Sequence, residues 1–462
     1  MTISKLRWLC SLLLLFYISS CQVTKPYEAP TTKVEGLYRD VVPTDTTTLA
    51  QLPWRTLFTD PQLQSLIAEG IANNLDLQVA AARVQQADAY FRQSQAAFLP
   101  TLSATGNVTR AKQAAFNGLG SFPAGTQYQL FGTASWEADL WSKLRSSKKA
   151  YLAQLRQSEA YQRTVQTSLV ANVANYYYLL LALDQQLDIT QQTVQNRIQD
   201  VKTMQALKTA GIVTGAAVVQ SEANRYAAEV SIPDLKQQIR ETENTLSTLL
   251  GRVPGAIPRS TLQSQEVVST LQTGVPAQLL RYRPDVQQAE YAYRSAFELT
   301  NAARAYFYPA LTLTGNGGYS TFQPENLISP TAVFYALGGG LVQPILNRGA
   351  NKARLRVSEA QQTEARLNLQ TSLLTAGEEV SNALYSYQAA GDKAAVRTQQ
   401  LDALEKSVTY SQALLKNGFA NYTEVLTAQQ SLLQAQLNGI NDRQQQLQAV
   451  TTLYRALGGG WQ

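Results

Sequence analysis

The chain has 462 residues and a formal net charge of +6, from 39 Lys and Arg against 33 Asp and Glu. It contains no His and only two Cys, which argues against zinc, copper and haem sites, His-based acid–base catalysis and a disulfide framework. A chain rich in Ala, Gln and Leu favours long helices, and charge spread along it without a basic block gives little support for nucleic-acid binding.

The first residues have the pattern of a bacterial secretory signal. Lys5 and Arg7 precede an apolar run at residues 8–18, shorter than the roughly 20 residues that a transmembrane helix needs. Small residues then lead to Cys21. The pattern predicts a lipoprotein signal peptide over residues 1–20, covalent lipid on Cys21 as the only cofactor, and a lipidated tether over residues 21–53. An ordinary secretory signal with a chance cysteine is the alternative, and no metal site is predicted.

The chain also repeats itself. Two blocks recur at spacings of 209 and 207 residues: Ala96, Phe98, Pro100, Leu102 and Gly106 as Ala305, Phe307, Pro309, Leu311 and Gly315, and Leu207, Gly211, Val218 and Gly251 as Leu414, Gly418, Val425 and Gly458. Two matched blocks at nearly one offset predict a tandem duplication. The first structural repeat is expected over residues 54–250 and the second over 276–458. Residues 251–275 form the predicted linker and 459–462 the C-terminal tail.

Each predicted repeat begins with a helical stretch, at residues 61–98 and 284–307, and then changes to a period of two. β-hairpins are therefore predicted at about 99–140 and 308–344. Apolar residues alternate there with Ser, Thr and Asn, and aromatic residues stand at the strand ends, namely Phe98, Trp136, Trp141, Tyr306, Phe307 and Tyr308. This pattern is typical of transmembrane β-strands with aromatic girdles, and a half-buried soluble hairpin is the alternative.

An unusually long helical stretch follows each hairpin, at roughly residues 141–208 and 347–416, and at 1.5 Å per residue each would run about 100 Å. Short glycine turns at about 208–215 and 416–422 then lead into returning helices. In the first returning helix, Pro233 predicts a kink or a split. The second carries an apolar heptad seam made of Leu426, Leu433, Ile440, Leu447 and Tyr454.

Several short blocks resemble the TolC-type outer-membrane efflux channels. They are Asp60-Pro61 with Leu63, Asn74 to Leu77, Val275-Pro276, Arg283-Pro284-Asp285-Val286, Phe307 to Leu311, and Gln343 to Leu346. With Cys21, the resemblance is to the lipoprotein branch, the outer-membrane factors of RND-type tripartite efflux systems. It implies a mainly α fold with a transmembrane β-barrel portion. Duplicated strand–strand–long helix–hairpin halves would form a homotrimer with a twelve-stranded barrel, continued by a periplasmic α-helical barrel.

The resemblance assigns a role to the two glycine turns. Gly211 with Ile212, and Gly418 with Phe419, match the family's hairpin-tip motif, which meets a periplasmic adaptor protein. Glycine admits the positive φ that turns a helix end, and the apolar residue after it would offer a contact. Glycine as a helix cap with no partner is the alternative.

The resemblance also points to a periplasmic gate. Glu424 falls where the family carries an aspartate that narrows the closed entrance, and Thr427 stands one turn later, where a second acid is often found. Three symmetry-related copies of Glu424 would attract cations and make the gate sensitive to pH and salt. A surface Glu favoured by the helix dipole is the alternative.

The expected function is that of a passive outer-membrane exit duct that carries small molecules such as drugs out of the cell. Its partners would be a periplasmic adaptor, an inner-membrane RND-type transporter and outer-membrane lipid. Four strands per chain require assembly, because an open sheet edge has no hydrogen-bond partner in lipid. Two rivals remain: the exit pore of a protein-secretion system, and a lipid-anchored trimeric coiled-coil spacer or adhesin without a pore. No motif indicates an enzyme.

Overall fold

The computed structural model describes residues 23–30, 36–39, 48–111, 125–266 and 274–462. The predicted signal peptide and Cys21 lie outside the described residues. The described chain divides into two compact units. One contains Arg83–Ser158 and Gln288–Leu369, and the other contains Glu159–Gln287 and Gln370–Gln462.

The described helices and strands follow the same order in both halves. In the first half they are α1 (Trp54–Leu57), α2 (Pro61–Asn73), α3 (Leu75–Ala96), β1 (Thr101–Ala111), β2 (Gly125–Ala138), α4 (Lys143–Thr209) and α5 (Gly215–Leu249). In the second they are α6 (Leu279–Tyr282), α7 (Pro284–Ala305), β3 (Ala310–Thr321), β4 (Val333–Val342), α8 (Ala350–Lys416) and α9 (Tyr422–Leu457). The predicted order of two strands, a long helix and a returning helix in duplicate is confirmed.

The strands form one antiparallel sheet in the order β1-β2-β3-β4. Within each half a hairpin pairs its two strands, as the alternating pattern predicts. The pairing of β2 with β3 joins the halves, from Tyr128 opposite Thr321 to Ala138 opposite Leu311. The duplicated hairpins therefore lie side by side in a single sheet.

The two long helices, α4 and α8, have 67 residues each and contain no proline. Proline would remove a backbone hydrogen bond and clash with the preceding turn, so its absence allows both helices to continue. In α9 the predicted heptad seam is buried at Leu426, Ile440, Leu447 and Tyr454 and half-buried at Leu433. The seam therefore packs against other helices of the same chain.

Two local expectations are not met. The stretch predicted as one helix over residues 61–98 is divided at Asn74, whose amide N–H completes α2 by bonding to Gly70. The Asn74 side chain then accepts from the Leu77 N–H in the first turn of α3, 2.9 Å away. In addition, α5 continues through Pro233 as one helix of 35 residues, so the predicted split does not occur, and the alternative of a kink stays a prediction.

The helical part of each half closes through matching contacts. The Asn74 side chain donates to the Leu249 carbonyl at the end of α5, at 2.9 Å. At the equivalent position of the second half, Arg283 donates to the Ala456 carbonyl in the last turn of α9, also at 2.9 Å. Helix ends leave carbonyls without intrahelical partners, so each side chain satisfies one of them. The end of the returning helix is thereby fixed to the start of its own half.

Arg283 also carries ion pairs in this closure. Its guanidinium is buried and lies 2.5 Å from the Asp285 carboxylate and 2.7 Å from that of Glu379 on α8. Burial alone would lower the pKa of Arg283, but the two carboxylates raise it overall. The charged guanidinium is therefore held by its partners, and it ties α7, α8 and α9 together.

A glycine ends each returning helix at the closest point of this closure. Gly251 and Gly458 both have positive φ, of 69° and 95°. A Cβ at Gly251 would lie 2.3 Å from the Asn73 carbonyl oxygen, and a Cβ at Gly458 would lie 2.3 Å from the equivalent oxygen of Tyr282. No side chain fits between these two backbones.

We expect Gly458→Ala to lower the free energy of unfolding by at least about 2 kcal/mol, since it adds both a left-handed alanine and a steric clash. The measurement is the midpoint of thermal unfolding, followed by the circular dichroism of the helices. Gly391→Ala is the matched control, because a Cβ there meets nothing within 4 Å and the residue lies inside α8. Equal midpoints for the two variants would contradict the proposed role of this contact.

Candidate functional site

One face of the sheet is apolar across all four strands. A row of paired residues on this face runs Leu102, Ala134, Gly315 and Leu337 from β1 to β4. The two leucines of this row are open to the surroundings, with 82% of Leu102 and 84% of Leu337 exposed. Such a broad apolar face is costly in water and is typical of a surface that contacts lipid or another protein.

The opposite face is mostly hydroxyl and amide. A row on this face runs Ser103, Thr133, Asn316 and Ala336 across the same strands. Because neighbouring strand residues point to opposite faces, the sheet separates an apolar surface from a polar one. This is the arrangement of a sheet between hydrocarbon and a water-filled lumen.

The polar face contains one apolar pair that the alternating pattern does not predict. Phe131 on β2 and Phe334 on β4 flank Gly318, which is registered between them on β3. The two rings lie 6.0 Å apart between centroids. A Cβ at Gly318 would lie 2.2 Å from the Leu130 carbonyl oxygen and 2.4 Å from the Phe131 Cα, so the glycine allows the β2 backbone to approach closely.

Both outer strands have an unused edge among the described residues. β1 pairs only with β2, and β4 only with β3. The backbone groups on the outer edge of each strand need partners wherever water is excluded. In a membrane, both outer edges would therefore need further strands as partners.

The aromatic residues predicted at the strand ends make specific contacts there. The Trp136 indole donates to the Phe98 carbonyl at 2.9 Å, and the Trp141 indole donates to that of Pro309 at 2.8 Å. The Trp141 ring also lies 5.0 Å from the Tyr308 ring. Each indole thus satisfies its polar N–H while its rings cover the junction between sheet and helices.

The two predicted glycine turns have the same geometry. Gly211 and Gly418 both have a φ of 75°. The Ile212 N–H bonds to the Leu207 carbonyl at 2.9 Å, and the Phe419 N–H bonds to that of Leu414 at 3.0 Å. Each of these hydrogen bonds spans five residues, one more than in an α-helix, and closes the last turn of α4 or α8.

The apolar residue after each glycine points away from the protein. Ile212 is 63% exposed and Phe419 is 82% exposed. Neither glycine has any atom within 4 Å of the position where a Cβ would lie. The two turns therefore present one exposed apolar side chain each.

A buried cluster beneath the turns connects the two helical hairpins. It contains Met204 of α4, Val218 of α5, and Tyr422 and Leu426 of α9. Leu426 belongs to the predicted heptad seam, whereas Met204 and Tyr422 have no distinguishing pattern in the sequence. Apolar packing of this kind fixes the two turns relative to each other.

The two predicted gate residues lie in the first turns of α9 and are exposed. The Glu424 N–H bonds to the Asn421 side chain at 3.1 Å, so Asn421 caps the helix. The Thr427 hydroxyl is turned back to the Thr423 carbonyl at 2.9 Å. The Glu424 carboxylate therefore projects from a fixed helix start.

A polar contact not expected from the sequence joins α4 to α9 near the gate residues. The Gln429 side chain donates to the Asp200 carboxylate at 3.0 Å. Burial raises the pKa of Asp200, and the hydrogen bond from Gln429 and the charge of Arg197 only partly oppose this rise. The carboxylate borders a cavity of about 420 Å³ between α4, α8 and α9 that is lined largely by amide side chains.

Two negative findings apply to the described residues. None of their helices is both apolar enough and long enough to cross a bilayer. Their acidic and sulfur-bearing side chains form no group of three or more that could bind a metal ion.

The chain is similar to proteins of outer-membrane export. Residues 66–252 and 275–459 match the family described as outer membrane efflux protein. The antibiotic efflux pump outer membrane protein ArpC of Pseudomonas putida is 28% identical over 454 residues, which cover 96% of this chain and 94% of ArpC. The pyoverdine export outer membrane protein OpmQ of Pseudomonas putida is 33% identical over 418 residues, which cover 88% of each chain. The probable outer membrane lipoprotein SilC of Salmonella typhimurium is 27% identical over 460 residues, which cover 98% of each chain.

Solved structures give the same result for the fold. The outer-membrane channel OprN superimposes with a TM-score of 0.88 at 24% identity, covering 96% of this chain and 100% of OprN. CusC superimposes with a TM-score of 0.85 at 27% identity, covering 95% of this chain and 100% of CusC.

Asp200→Asn should stabilise the protein at neutral pH. The pKa of Asp200 is raised in the folded protein above its ordinary value of 3.8. The folded state therefore loses stability as the pH rises from 3.8 through the folded pKa, because the buried carboxylate must take up a charge. An amide carries no charge and can still accept from Gln429. We therefore expect a higher unfolding midpoint than wild type at neutral pH and no difference below pH 3.8.

Asp188→Asn is the control, since Asp188 is an exposed acid on the same helix that also accepts from a glutamine side chain. A gain for Asp200→Asn that is independent of pH would contradict the effect of burial.

Proposed function

The chain belongs to the outer membrane efflux protein family, and on that premise we propose that three copies pool their sheets into one closed barrel through which small molecules leave the cell. The predicted family, the mainly α fold with a β portion, the outer-membrane location and the broad role are confirmed. The protein is an outer-membrane exit duct of a tripartite efflux system. The members it resembles are channel proteins rather than enzymes.

One observation carries the proposal: a four-stranded sheet with one apolar face, one polar face and two unused edges among the described residues. In lipid, every backbone group on an edge must find a partner, which favours closure with identical sheets. A closed ring of such sheets would place its hydroxyl and amide face around the lumen. The number three comes from the family resemblance.

The small-molecule cargo rests on the relatives. Their names refer to antibiotic efflux and to pyoverdine export. The polar face of the sheet suits solutes that travel in water. The rival function of a protein-secretion pore shares the fold. A coiled-coil spacer without a pore does not require a sheet with one apolar and one polar face, so the sheet argues against it.

We propose that lipid on Cys21 anchors the mature chain, after removal of residues 1–20. SilC, which aligns with nearly the whole chain, is named as a probable lipoprotein. The described residues nearest to Cys21 are held against the protein. The Asn301 side chain on α7 pairs with both the N–H and the carbonyl of Lys25, at 3.0 and 2.9 Å.

The tips are proposed to contact a periplasmic adaptor, which in turn joins the duct to an inner-membrane RND-type transporter. Ile212 and Phe419 are apolar, exposed and placed on turns that backbone hydrogen bonds close. A backbone that is already ordered loses little entropy on binding, which suits a contact point.

Planar-bilayer recordings test the duct and its gate together. The lipidated trimer should conduct ions, with a preference for cations. Glu424→Ala should raise the conductance and reduce that preference, because it removes the negative charge and bulk of the proposed gate. Glu405→Ala, at an exposed position on α8, should behave as wild type.

A wild-type protein that forms no conducting pore would contradict the duct and favour the spacer. A conducting wild type with an unchanged Glu424→Ala variant would remove Glu424 from the gate alone.

The double variant Ile212→Ala with Phe419→Ala tests the tips. Both side chains are exposed, so the free energy of unfolding should change by no more than about 0.5 kcal/mol, the range of surface substitutions. Co-purification of the adaptor and resistance of cells to exported compounds should both fall. Phe322→Ala, which removes another exposed ring (69%) after β3, should leave both unchanged. An unaffected double variant would leave the two turns as simple helix caps.

A further inference from the structure

The starts of the two long helices carry an excess of positive charge. Residues 143–149 and 348–356 together contain eight basic residues and no acidic ones. We name this set the basic collar: Lys143, Arg145, Lys148, Lys149, Arg348, Lys352, Arg354 and Arg356. The start of a helix already has a positive partial charge, so basic residues there are unfavourable for the helix itself.

The two segments meet at one aromatic ring. The Lys143 ammonium lies 5.1 Å from the centroid of Tyr306, and the Arg354 guanidinium lies 3.9 Å from it. The Asn351 side chain donates to the Tyr306 carbonyl at 2.8 Å. Segments about 200 residues apart in sequence thus form one cationic surface.

Acidic neighbours compensate only part of this charge. Lys143 pairs with Glu137, Arg145 lies 3.1 Å from Asp139, and Lys149 lies 3.9 Å from the buried Glu298. These pairs leave the exposed start of α8 as the uncompensated part of the collar.

Arg348, Lys352 and Arg356 follow one another at intervals of four residues, and all three are exposed. The described residues provide no ion pair for them. Lys352 and Arg356 lie one turn apart on α8, where like charges repel one another. An anion bound beside them would relieve both this repulsion and the unfavourable helix-end position.

Apolar side chains immediately precede this charged stripe. Ile345 and Leu346, between β4 and α8, are 90% and 95% exposed. Apolar residues followed by Lys and Arg are typical of a chain that leaves hydrocarbon and enters the headgroup layer. Because the headgroup layer is several ångströms deep, Lys352 and Arg356, about 6 Å apart along α8, would both fall within it.

We propose that the basic collar binds phosphate groups of glycerophospholipids in the periplasmic leaflet of the outer membrane. This inference rests on the proposed function, which places the apolar face of the sheet in the bilayer. Guanidinium groups hold phosphate with paired hydrogen bonds, and ammonium groups add point charges. The stacked cations on Tyr306 keep the two segments at one level.

The test uses the full-length lipidated protein in mild detergent, with phosphatidylglycerol as the probe. Native mass spectrometry measures the lipid retained per trimer over a range of lipid concentrations. Lys352→Gln with Arg356→Gln should weaken retention about tenfold, since each removed charge weakens the attraction to anionic lipid. Arg240→Gln with Lys416→Gln removes two charges from other exposed helix positions and should retain lipid as wild type does. Lys352→Gln alone, with a smaller loss, serves if the double variant does not fold.

Three outcomes would overturn the proposal. One is equal retention by the collar and control variants. Another is displacement of the lipid by inorganic phosphate at the same concentration, which would indicate a site for free phosphate. The third is loss of the trimer in the collar variant with unchanged lipid on the remaining trimers, which would indicate a contact with a neighbouring copy. Bilayer conductance of the same preparations separates this result from a failure of the duct itself.

Discussion

In each half, the end of the returning helix packs against the start of the same half. The arrangement of the unit that contains Glu159–Gln287 and Gln370–Gln462 depends on this contact. Gly251 and Gly458 allow two backbones to approach within a distance that excludes any side chain. Asn74 and Arg283 then bond to the carbonyls at the ends of the returning helices. At the other end of the hairpins, beneath the two glycine turns, the cluster around Met204 packs the two hairpins together.

The two halves share this closure but differ in chemistry. Asn74 makes a neutral hydrogen bond, whereas Arg283 adds ion pairs to Asp285 and Glu379. The turns also match in backbone geometry, yet Glu424 of the second half corresponds to Ala217 of the first. Duplication therefore preserved the backbone and allowed the side chains to diverge. In a trimer, this difference would give one ring of carboxylates rather than two, all from the second half.

The first unit separates apolar from polar surroundings in two ways. Across the sheet, alternation of side chains gives one face to lipid and the other to water. Along the chain, the apolar strands are followed by aromatic side chains and then by the basic collar. Tyr306, one of the aromatic residues beside the strands, also brings the starts of α4 and α8 together. Among the described residues, the edges of the sheet need partners that the single chain does not provide, and the proposed trimer would supply them.

The sequence by itself determined the duplication, the order of helices and strands, the two-faced character of the strands and the positions of both glycine turns. These features depend on local periodicity and on single residues, such as the left-handed glycine at 418, and local rules describe them well. It did not determine the break at Asn74, where the side chain bonds to the distant Leu249 carbonyl, or the continuity of α5 through Pro233. Only the tertiary structure showed that Asp200 meets Gln429, that Phe131 and Phe334 pair across Gly318, and that two short basic segments form one surface at Tyr306. Each of these depends on strand register or helix packing between residues far apart in the chain, and no local pattern in the sequence records that proximity.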